Sequence, residues 1–424
     1  MTIAALFICF AICILVGLPL AFAMGLSAII AIVVVDGQSL LIVPQRMVAS
    51  IDSFALLAVP LFILAGELMN SGGITEKIVR FSRSAMGHLR GGLAQANIMS
   101  NMFLAALSGS SLADLSAIGS MMIPAMTREG YKKSYSVAVT SCAALMAPII
   151  PPSIIAVIYG SMTGVSIGSM FLGGAIPGVM AGLGIMLLAR ALAEKGGATA
   201  LPRETWRQRG AAAKTAVPAM AVPVIIVGGI LSGIFTPTEA GAFAVFYALV
   251  YGIVTRRQSP GGVYDQLISA GITTASALIT LAGASLFSYV LVSSGFAQAA
   301  LDLLVSLTDN KHVALLLIFL LLVILGMFVE TVSALILVVP ILMPIVGYYG
   351  YDPVQFGIFT LMSLVLGGLT PPVGILAMVA CRIAGVEYSK TFGMLMPFII
   401  WWAFATLLVG YIPFLSTWLP SLVF

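Results

Sequence analysis

The sequence predicts an all-α polytopic membrane protein built from two inverted-topology repeats, each with a re-entrant helical hairpin and a proline-broken helix. Three observations predict this class. The 424 residues are 61% hydrophobic and only 8% charged, which is too few charges to cover the surface of a soluble protein of this length. A skeleton of helix breakers occurs twice along the chain. Basic residues are distributed differently in the two copies, which indicates opposite orientations in the membrane.

The breakers repeat at a constant offset of 220 positions, so that residues 124–153 correspond to residues 344–373. Each copy begins with a proline, carries Gly-Tyr six residues later and closes on a double proline. These closing pairs are Pro151-Pro152 and Pro371-Pro372. A double proline inside an apolar segment removes N–H donors and frees upstream carbonyls, which is costly in lipid unless the backbone lines a cavity. Two such breaks at matching positions are typical of a binding site between repeats.

The first repeat is predicted to cover residues 1–190. Residues 92–127 are longer than one membrane crossing and carry polar residues in their middle, so they are expected to enter and leave on the same side. The stretch before them is amphipathic, with an apolar stripe and basic residues off it, and is expected to lie at the cytoplasmic surface. The predicted elements are scaffold helices at 3–35 and 53–69, a surface helix at 74–90, hairpin 1 at about 92–127, a broken helix at 134–162 and a crossing at 168–190.

Residues 191–260 are predicted to form a basic cytoplasmic linker followed by a connecting helix pair. The string Thr236-Pro237-Thr238-Glu239 between these two helices is typical of a capping box, and a structural role is favoured for it. The second repeat is predicted to cover residues 261–424. Its predicted elements are a surface helix at 296–309, hairpin 2 at about 313–345, a broken helix at 354–381 and a last helix at roughly 392–415.

The charges of the loops predict that the repeats are inverted. The loop after hairpin 1 carries Arg128, Lys132 and Lys133, whereas the equivalent loop at 348–353 has no basic residue and includes Asp352. Basic loops mark the cytoplasmic side of a membrane. Equivalent loops are therefore expected on opposite sides of the membrane.

The tips of the two hairpins are candidate binding elements. In hairpin 1 the tip Ser108-Gly109-Ser110-Ser111 offers hydroxyls and N–H groups together, as small hard cations and carboxylate ligands require, and Asp114 follows in an apolar surround. A buried carboxylate there is costly unless it is paired, protonated or close to water. The tip of hairpin 2, residues 326–331, mirrors it. Packing of small residues between helices is the competing interpretation.

The double-proline breaks are the second pair of candidates. The carbonyls of Pro148, Ile149 and Ile150 are expected to lack hydrogen-bond partners, and so are those of residues 367–369, while Ser153 and Thr370 add hydroxyls. Unwound carbonyls opposite the hairpin tips would suit sodium, and half-helix N-termini would suit a carboxylate. A plain kinked helix is the alternative.

Missing motifs narrow the function. The chain has no GxxxxGK[ST] phosphate loop, and its two histidines, His88 and His312, are not part of an HExxH motif. Hydrolysis of ATP by this chain and zinc-dependent intramembrane proteolysis are therefore not expected, and the protein is not predicted to be an enzyme or to hold a cofactor beyond coupling ions. An ion channel with broken pore helices is the competing class.

The strings that carry a family resemblance are, in order, VPLFILAGELMNSGG, GHLRGGLAQANI, SGSSLAD, APIIPPS, SGIFTPTEAGAFAVFYAL and LTPPVG. With this order and spacing the chain resembles the large membrane subunit of tripartite ATP-independent periplasmic (TRAP) transporters over nearly its whole length. The resemblance implies a sodium-coupled importer of the bacterial inner membrane that works by an elevator motion. It also implies a small four-helix membrane subunit, not fused at this N-terminus, and a periplasmic protein that delivers an organic acid such as a C4-dicarboxylate, sialic acid or a sugar acid.

The resemblance assigns two sodium sites and a substrate between them. Its predicted residues for sodium site 1 are Ser108, Gly109, Ser110, Pro148, Ile149 and Pro151. Those for sodium site 2 are Gly326, Phe328, Glu330, Thr331, Gly367, Thr370 and Pro371. Ser108 and Ser153 are the preferred substrate contacts, with Asp114 as an outside candidate. A conventional cation symporter that needs no binding protein remains an alternative. The lipid bilayer is expected as a further partner, and binding of nucleic acid is not expected.

Overall fold

The computed structural model describes residues 2–35, 37–198 and 200–424, and within these ranges the chain is helical with no strand. The first repeat and the linker contain twelve α-helices, joined in places by short π and 3₁₀ turns. They are α1 Thr2–Leu15, α2 Leu20–Ile30, α3 Ile42–Ile51, α4 Ala58–Ser71, α5 Ile74–Met86, α6 Gly92–Ser108, α7 Ser111–Arg128, α8 Lys133–Ala144, α9 Ile154–Thr163, α10 Ile167–Ala191, α11 Trp206–Leu231 and α12 Pro237–Val254.

The second repeat contributes eight more helices. They are α13 Pro260–Ser293, α14 Phe296–Leu307, α15 Lys311–Phe328, α16 Thr331–Tyr349, α17 Pro353–Gly367, α18 Ile375–Ala384, α19 Tyr388–Tyr411 and α20 Phe414–Ser421. In the described part of the chain, eight helical segments are long and apolar enough to cross a membrane. The protein is a multi-pass membrane protein.

The predicted repeat is confirmed helix by helix. Helices α7 and α16 begin at Ser111 and Thr331, and α8 and α17 at Lys133 and Pro353, so both pairs keep the offset of 220. The hairpins α6–α7 and α15–α16 and the broken helices α8–α9 and α17–α18 occupy the predicted positions. Helix α9 packs against α16 and helix α18 against α7, so each broken helix contacts the hairpin of the other repeat. This exchange brings the two breaks and the two tips to one central region.

Three features differ from or add to the predicted elements. The apolar segment 3–35 is two helices rather than one, because the chain turns at Gly17, which has φ of 87°, before Pro19. Helices α3 and α20 were not predicted, since each is short and lies inside or beside a longer apolar run. The division of the chain at residues 190 and 260 stays a prediction.

The predicted capping box between α11 and α12 is present. The Thr236 Oγ1 accepts from the Glu239 N–H at 3.2 Å, and the Thr236 N–H donates to the Glu239 carboxylate at 2.7 Å. Thr238 donates its hydroxyl to the Phe54 carbonyl at 2.8 Å. This string therefore fixes the start of α12 against the turn that precedes α4.

The linker joins the surface helix α5 to the hairpin-bearing body. The Leu201 N–H donates to the Gly87 carbonyl at 2.9 Å, and the Lys132 N–H donates to the Gly196 carbonyl at 2.8 Å. A guanidinium nitrogen of Arg209 lies 3.0 Å from His88 Nδ1. We call this end of the molecule the linker face; the turn between α18 and α19 lies there too, since the Lys133 ammonium donates to the Gly385 carbonyl at 3.5 Å.

Candidate substrate and cation site

The tip of hairpin 1 is a two-residue turn between α6 and α7. Gly109 ends α6 in the left-handed region, with φ of 61°, and Ser110 caps α7 by accepting from the Ala113 N–H at 3.4 Å. The Ser110 N–H donates to the Ser108 hydroxyl at 3.2 Å. The predicted serine cluster therefore builds the turn itself, with hydroxyls and N–H groups concentrated within three residues.

Asp114 lies in the first turn of α7, next to this tip, and is buried, with 1% of its surface exposed. One carboxylate oxygen accepts a hydrogen bond from the Ser108 hydroxyl. The other oxygen, Oδ2, is buried with no hydrogen-bond partner. A buried polar atom without a partner is costly, so this oxygen is a suitable position for a cation or a donor supplied by a ligand.

The tip of hairpin 1 touches the first break. A side chain added to Gly109 would stand 3.0 Å from the Ile154 nitrogen and 3.5 Å from the Pro152 carbonyl oxygen. The first break runs between the end of α8 at Ala144 and the start of α9 at Ile154, and the Pro151-Pro152 peptide bond in it is cis. The predicted meeting of tip 1 with break 1 is thus seen, although its contact residue is Pro152 rather than Pro151.

The carbonyls of the first break divide into paired and unpaired groups. The Pro148 carbonyl accepts from the Ser153 hydroxyl at 2.6 Å, so the expectation that it lacks a partner was wrong. Ser153 also caps α9 by accepting from the Ala156 N–H at 3.2 Å. In the described chain no hydrogen bond reaches the carbonyl oxygens of Ile149, Ile150, Pro151 and Pro152. The Ile149 oxygen points at Gly174 of α10 and away from the tip.

The tip of hairpin 2 meets the second break through two glycines. A side chain on Gly367 would stand 2.3 Å from the carbonyl carbon of Gly326 and 2.6 Å from the Met327 nitrogen. A side chain on Gly326 would stand 2.2 Å from the Leu364 carbonyl oxygen. The two backbones cross in direct contact, and the absence of both side chains is what permits it.

The carbonyls of the second break are more fully paired than predicted. The Gly367 carbonyl accepts from the Thr370 N–H at 3.0 Å, the Gly368 carbonyl from the Leu376 N–H at 2.9 Å, and the Leu369 carbonyl from the Tyr388 hydroxyl at 3.3 Å. The prediction of three free carbonyls there was wrong. The Pro371-Pro372 peptide bond is cis, as in the first break.

The remaining predicted residues of site 2 lie around this crossing. Glu330 caps α16, because its carboxylate accepts from the N–H groups of Val332 and Ser333 at 3.0 and 3.2 Å. Thr331 is the first residue of α16, and Phe328 is 61% exposed at the end of α15. The Thr370 hydroxyl donates to the Leu366 carbonyl at 2.7 Å. Tip and break come together here, and Phe328 can contribute to a cation site only through its backbone.

Sequence reasoning missed three participants. Pro152 and Gly174 lie beside predicted residues and are found only from the direction of the backbone. Tyr388 reaches the second break from α19, across nineteen residues of chain. Two surface cavities lie at other places, near residues 160–168 and 378–388.

The fold defines a class: a membrane transport subunit with two symmetry-related hairpins that meet interrupted helices, and not an enzyme. The family model described as the DctM component of tripartite ATP-independent periplasmic transporters matches residues 7–415. The chain therefore belongs to the DctM family.

Two relatives and one solved structure give the extent of the similarity. The large permease protein of a sialic acid TRAP transporter from Vibrio cholerae is 35% identical over 407 residues, covering 96% of this chain and 95% of the relative. The large permease protein of a C4-dicarboxylate TRAP transporter from the same species is 34% identical, covering 100% of this chain and 98% of the relative. The crystal structure of the YdaH transporter of Alcanivorax borkumensis shares the fold, with a TM-score of 0.61, 14% identity, and 88% of this chain and 87% of that one covered.

Proposed function

We propose that this protein is the large membrane subunit of a tripartite transporter, and that it couples the import of an organic acid into a bacterial cell to the sodium gradient. The observation that carries the proposal is the pairing of each hairpin tip with the double-proline break of its own repeat, once through Gly109 and Pro152 and once through Gly326 and Gly367. Paired, symmetry-related interruptions at one depth suit two coupling ions and a substrate held between them.

Sodium is the coupling ion favoured by the chemistry of the first pair. Unpaired carbonyls of residues 150–152, the turn hydroxyls and the free oxygen of Asp114 are all hard oxygen ligands. The side-chain carboxylate supplies the negative charge that a monovalent cation requires. At the second pair, the proposed ligands are backbone atoms of the tip together with Thr370 and Pro371.

An organic acid is the proposed substrate because the two relatives are named for sialic acid and for C4-dicarboxylates, which share a carboxylate. Ser108 and Ser153 are the proposed contacts, one at the tip and one at the start of α9. Asp114 is better suited to the cation than to the substrate, since two carboxylates repel each other unless a cation lies between them.

The proposed movement is an elevator, in which the hairpins and broken helices shift as one body against a scaffold. Helices α4 and α12 pack closely on each other, and α13 packs on α2, α3 and α4, so these helices are the proposed framework. The proposed partners are a small membrane subunit beside this framework and a periplasmic protein that delivers the substrate. The proposed location is the inner membrane, with the basic linker face in the cytoplasm.

Thermal unfolding of the purified protein in sodium and in potassium at equal ionic strength tests the ion. Sodium at about 100 times its Kd would stabilise the folded state by roughly 2.7 kcal/mol. Replacing Pro151 and Pro152 by alanine should remove the sodium-specific shift, whereas Pro223→Ala in the scaffold helix α11 should keep it. An equal shift in both salts would contradict sodium coupling and favour protons.

Uptake into proteoliposomes tests the partners and the substrate. Sodium-driven uptake of an organic acid should require the periplasmic protein on the outside. Uptake by the membrane subunits alone at an undiminished rate would contradict the tripartite arrangement and favour a conventional symporter.

A further inference from the structure

Helix α11 packs on α5 and α12 with one face and leaves another face uncovered. The buried positions share one side of the helix; they are Ala212, Ala216, Ala219, Val222, Ile226 and Gly229. The exposed positions recur at intervals of three, four or seven residues, as one face of a helix requires. They are Arg207, Gly210, Lys214, Val217, Val224 and Gly228, which we call the outer face of α11. Within the described chain, side chains added at Gly210 and Gly228 would meet nothing within 4 Å.

The outer face of α11 changes from basic to apolar along the helix. Arg207 and Lys214 come first, and in the described part of the chain no carboxylate forms an ion pair with either of them. Val217 and Val224 follow, and they are 58% and 72% exposed. Helix α11 is also one of the segments long and apolar enough to cross a membrane. This order matches a phospholipid, whose charged headgroup would lie beside the basic residues and whose acyl chains would lie beside the valines.

Trp206 places the start of α11 at the surface of the membrane. It is the first residue of the helix and is 78% exposed. The guanidinium carbons of Arg203 and Arg209 lie 5.9 and 5.4 Å from the centre of its ring. Tryptophan is enriched at the interface between membrane and water, where its ring lies at the level of the headgroups. The arginines around Trp206 are therefore expected at the level of the lipid phosphates.

The charge of these arginines is only partly balanced within the chain. Residues 203–209 contain three arginines and one carboxylate, that of Glu204, which accepts a hydrogen bond from the Ser84 hydroxyl. A guanidinium nitrogen of Arg209 lies 3.0 Å from Nδ1 of His88, which supplies no negative charge, and the Arg209 Nε has no hydrogen-bond partner. Guanidinium groups bind phosphate well because they present paired N–H donors to its oxygens. This end of α11 therefore favours a phosphate-bearing ligand.

We propose that the outer face of α11 binds an anionic phospholipid of the leaflet that contacts the linker face. The phosphate lies at the guanidinium groups of residues 203–209 and at Lys214, and the acyl chains lie along Val217 and Val224. Each basic residue close to the membrane surface strengthens the binding of an anionic lipid roughly fivefold. A zwitterionic headgroup adds a cation that the arginines repel, so a headgroup of net negative charge is favoured. The inference goes beyond the proposed function and depends on none of its transport steps.

Native mass spectrometry of the full chain, purified with any membrane subunit that accompanies it, counts the bound lipids and gives a Kd for each. The probes are dioleoyl phosphatidylglycerol and dioleoyl phosphatidylcholine, which share their acyl chains and differ in headgroup charge. The test variant is Arg207→Gln, Lys214→Gln, in which both positions are exposed and glutamine is a good helix former. The matched control is Lys132→Gln, Lys195→Gln, which removes the same charge from exposed positions of the linker face outside α11.

We expect the Kd of the first bound phosphatidylglycerol to rise roughly 25-fold in the test variant, about fivefold for each lost charge, and to change by less than about twofold in the control. The Kd of phosphatidylcholine should be the same in all three proteins. Equal Kd values of the two lipids in the wild type would overturn the inference, and so would equal losses in the two variants.

Two further outcomes would replace the lipid by another occupant. Displacement of phosphatidylglycerol by inorganic phosphate at the same concentration would show a site for free phosphate, because the acyl chains would then add nothing to binding. Retention of phosphatidylglycerol by the isolated chain but not by the chain with its accompanying membrane subunit would show that a protein helix covers the outer face. Either result would overturn the proposal.

Discussion

The glycine crossing of the second repeat gives the sharpest prediction. In Gly367→Ala the added methyl group would stand 2.3 Å from the carbonyl carbon and 2.5 Å from the Cα of Gly326. Ordinary contacts of such atoms begin near 3.4 Å. All the opposing atoms belong to the backbone, so no side chain can rotate away. The tip of hairpin 2 and the second break must therefore separate by about 1 Å.

Two effects of different size should follow from this separation. Overpacking of a close-packed contact costs about 1–3 kcal/mol of folding free energy, so the melting temperature should fall by a few degrees. Displacement of a binding group by about 1 Å can cost roughly 100-fold in rate where geometry matters, so uptake should fall far more than stability. A loss of uptake much larger than the loss of stability would indicate that this contact belongs to a functional site.

The assay compares melting and uptake of Gly367→Ala with those of Gly347→Ala. Gly347 lies in α16 of the same hairpin, and a side chain there would meet nothing within 4 Å. Because alanine favours a helix over glycine by up to about 1 kcal/mol, this control should be neutral or slightly stabilising. Wild-type melting and uptake in Gly367→Ala would refute the crossing, and a loss of melting without a loss of uptake would refute its role in transport.

Three further predictions concern single contacts. Desolvation and the charges of Arg209 and Arg203 lower the pKa of His88. The contact between neutral His88 and Arg209 should therefore stabilise the folded state fully above about pH 6.5 and weaken as the pH falls through the lowered pKa. The melting temperature should decline over this pH range, and His88→Gln should reduce the decline. Thr236→Ala should lower the free energy of unfolding by about 1 kcal/mol and leave uptake unchanged, as expected for a residue that only caps a helix. Ser153→Ala should lower the free energy of unfolding by a similar amount, because the cap of α9 is lost, and should also reduce uptake. Uptake at the wild-type rate in this variant would remove Ser153 from the proposed site.

Much of the fold follows from helix breakers, because proline and glycine act locally. Pro151-Pro152 and Pro371-Pro372 place the breaks whatever surrounds them, and the turn glycines of the tips place the hairpins. Helix α3 escaped prediction since its ten residues adjoin a longer apolar run, and hydropathy does not separate them. The structure shows this segment as a separate helix that packs on α13.

The meeting of hairpin tips with breaks was predictable as segments, but the individual contacts of the candidate site were not. Ser153 lies five residues from Pro148, yet whether its hydroxyl turns toward that carbonyl or toward a ligand depends on the backbone path of the break. The bond from Tyr388 to Leu369 depends on where α19 returns, which no local pattern encodes. Glu330 illustrates a third limit, since one carboxylate suits a cation site and a helix cap equally well.

The two repeats share a skeleton, but their pairs of hairpin tip and break are not equivalent. Where the second repeat has Gly326 and Gly367, the offset of 220 places Ala106 and Ala147 in the first. Side chains at both positions keep the first tip from approaching its break as closely as the second does. The first pair retains unpaired carbonyls and the free Asp114 oxygen, while the second has most of its carbonyls satisfied internally. Unpaired oxygens are therefore concentrated at the first pair of tip and break, whereas the second pair is in close backbone contact.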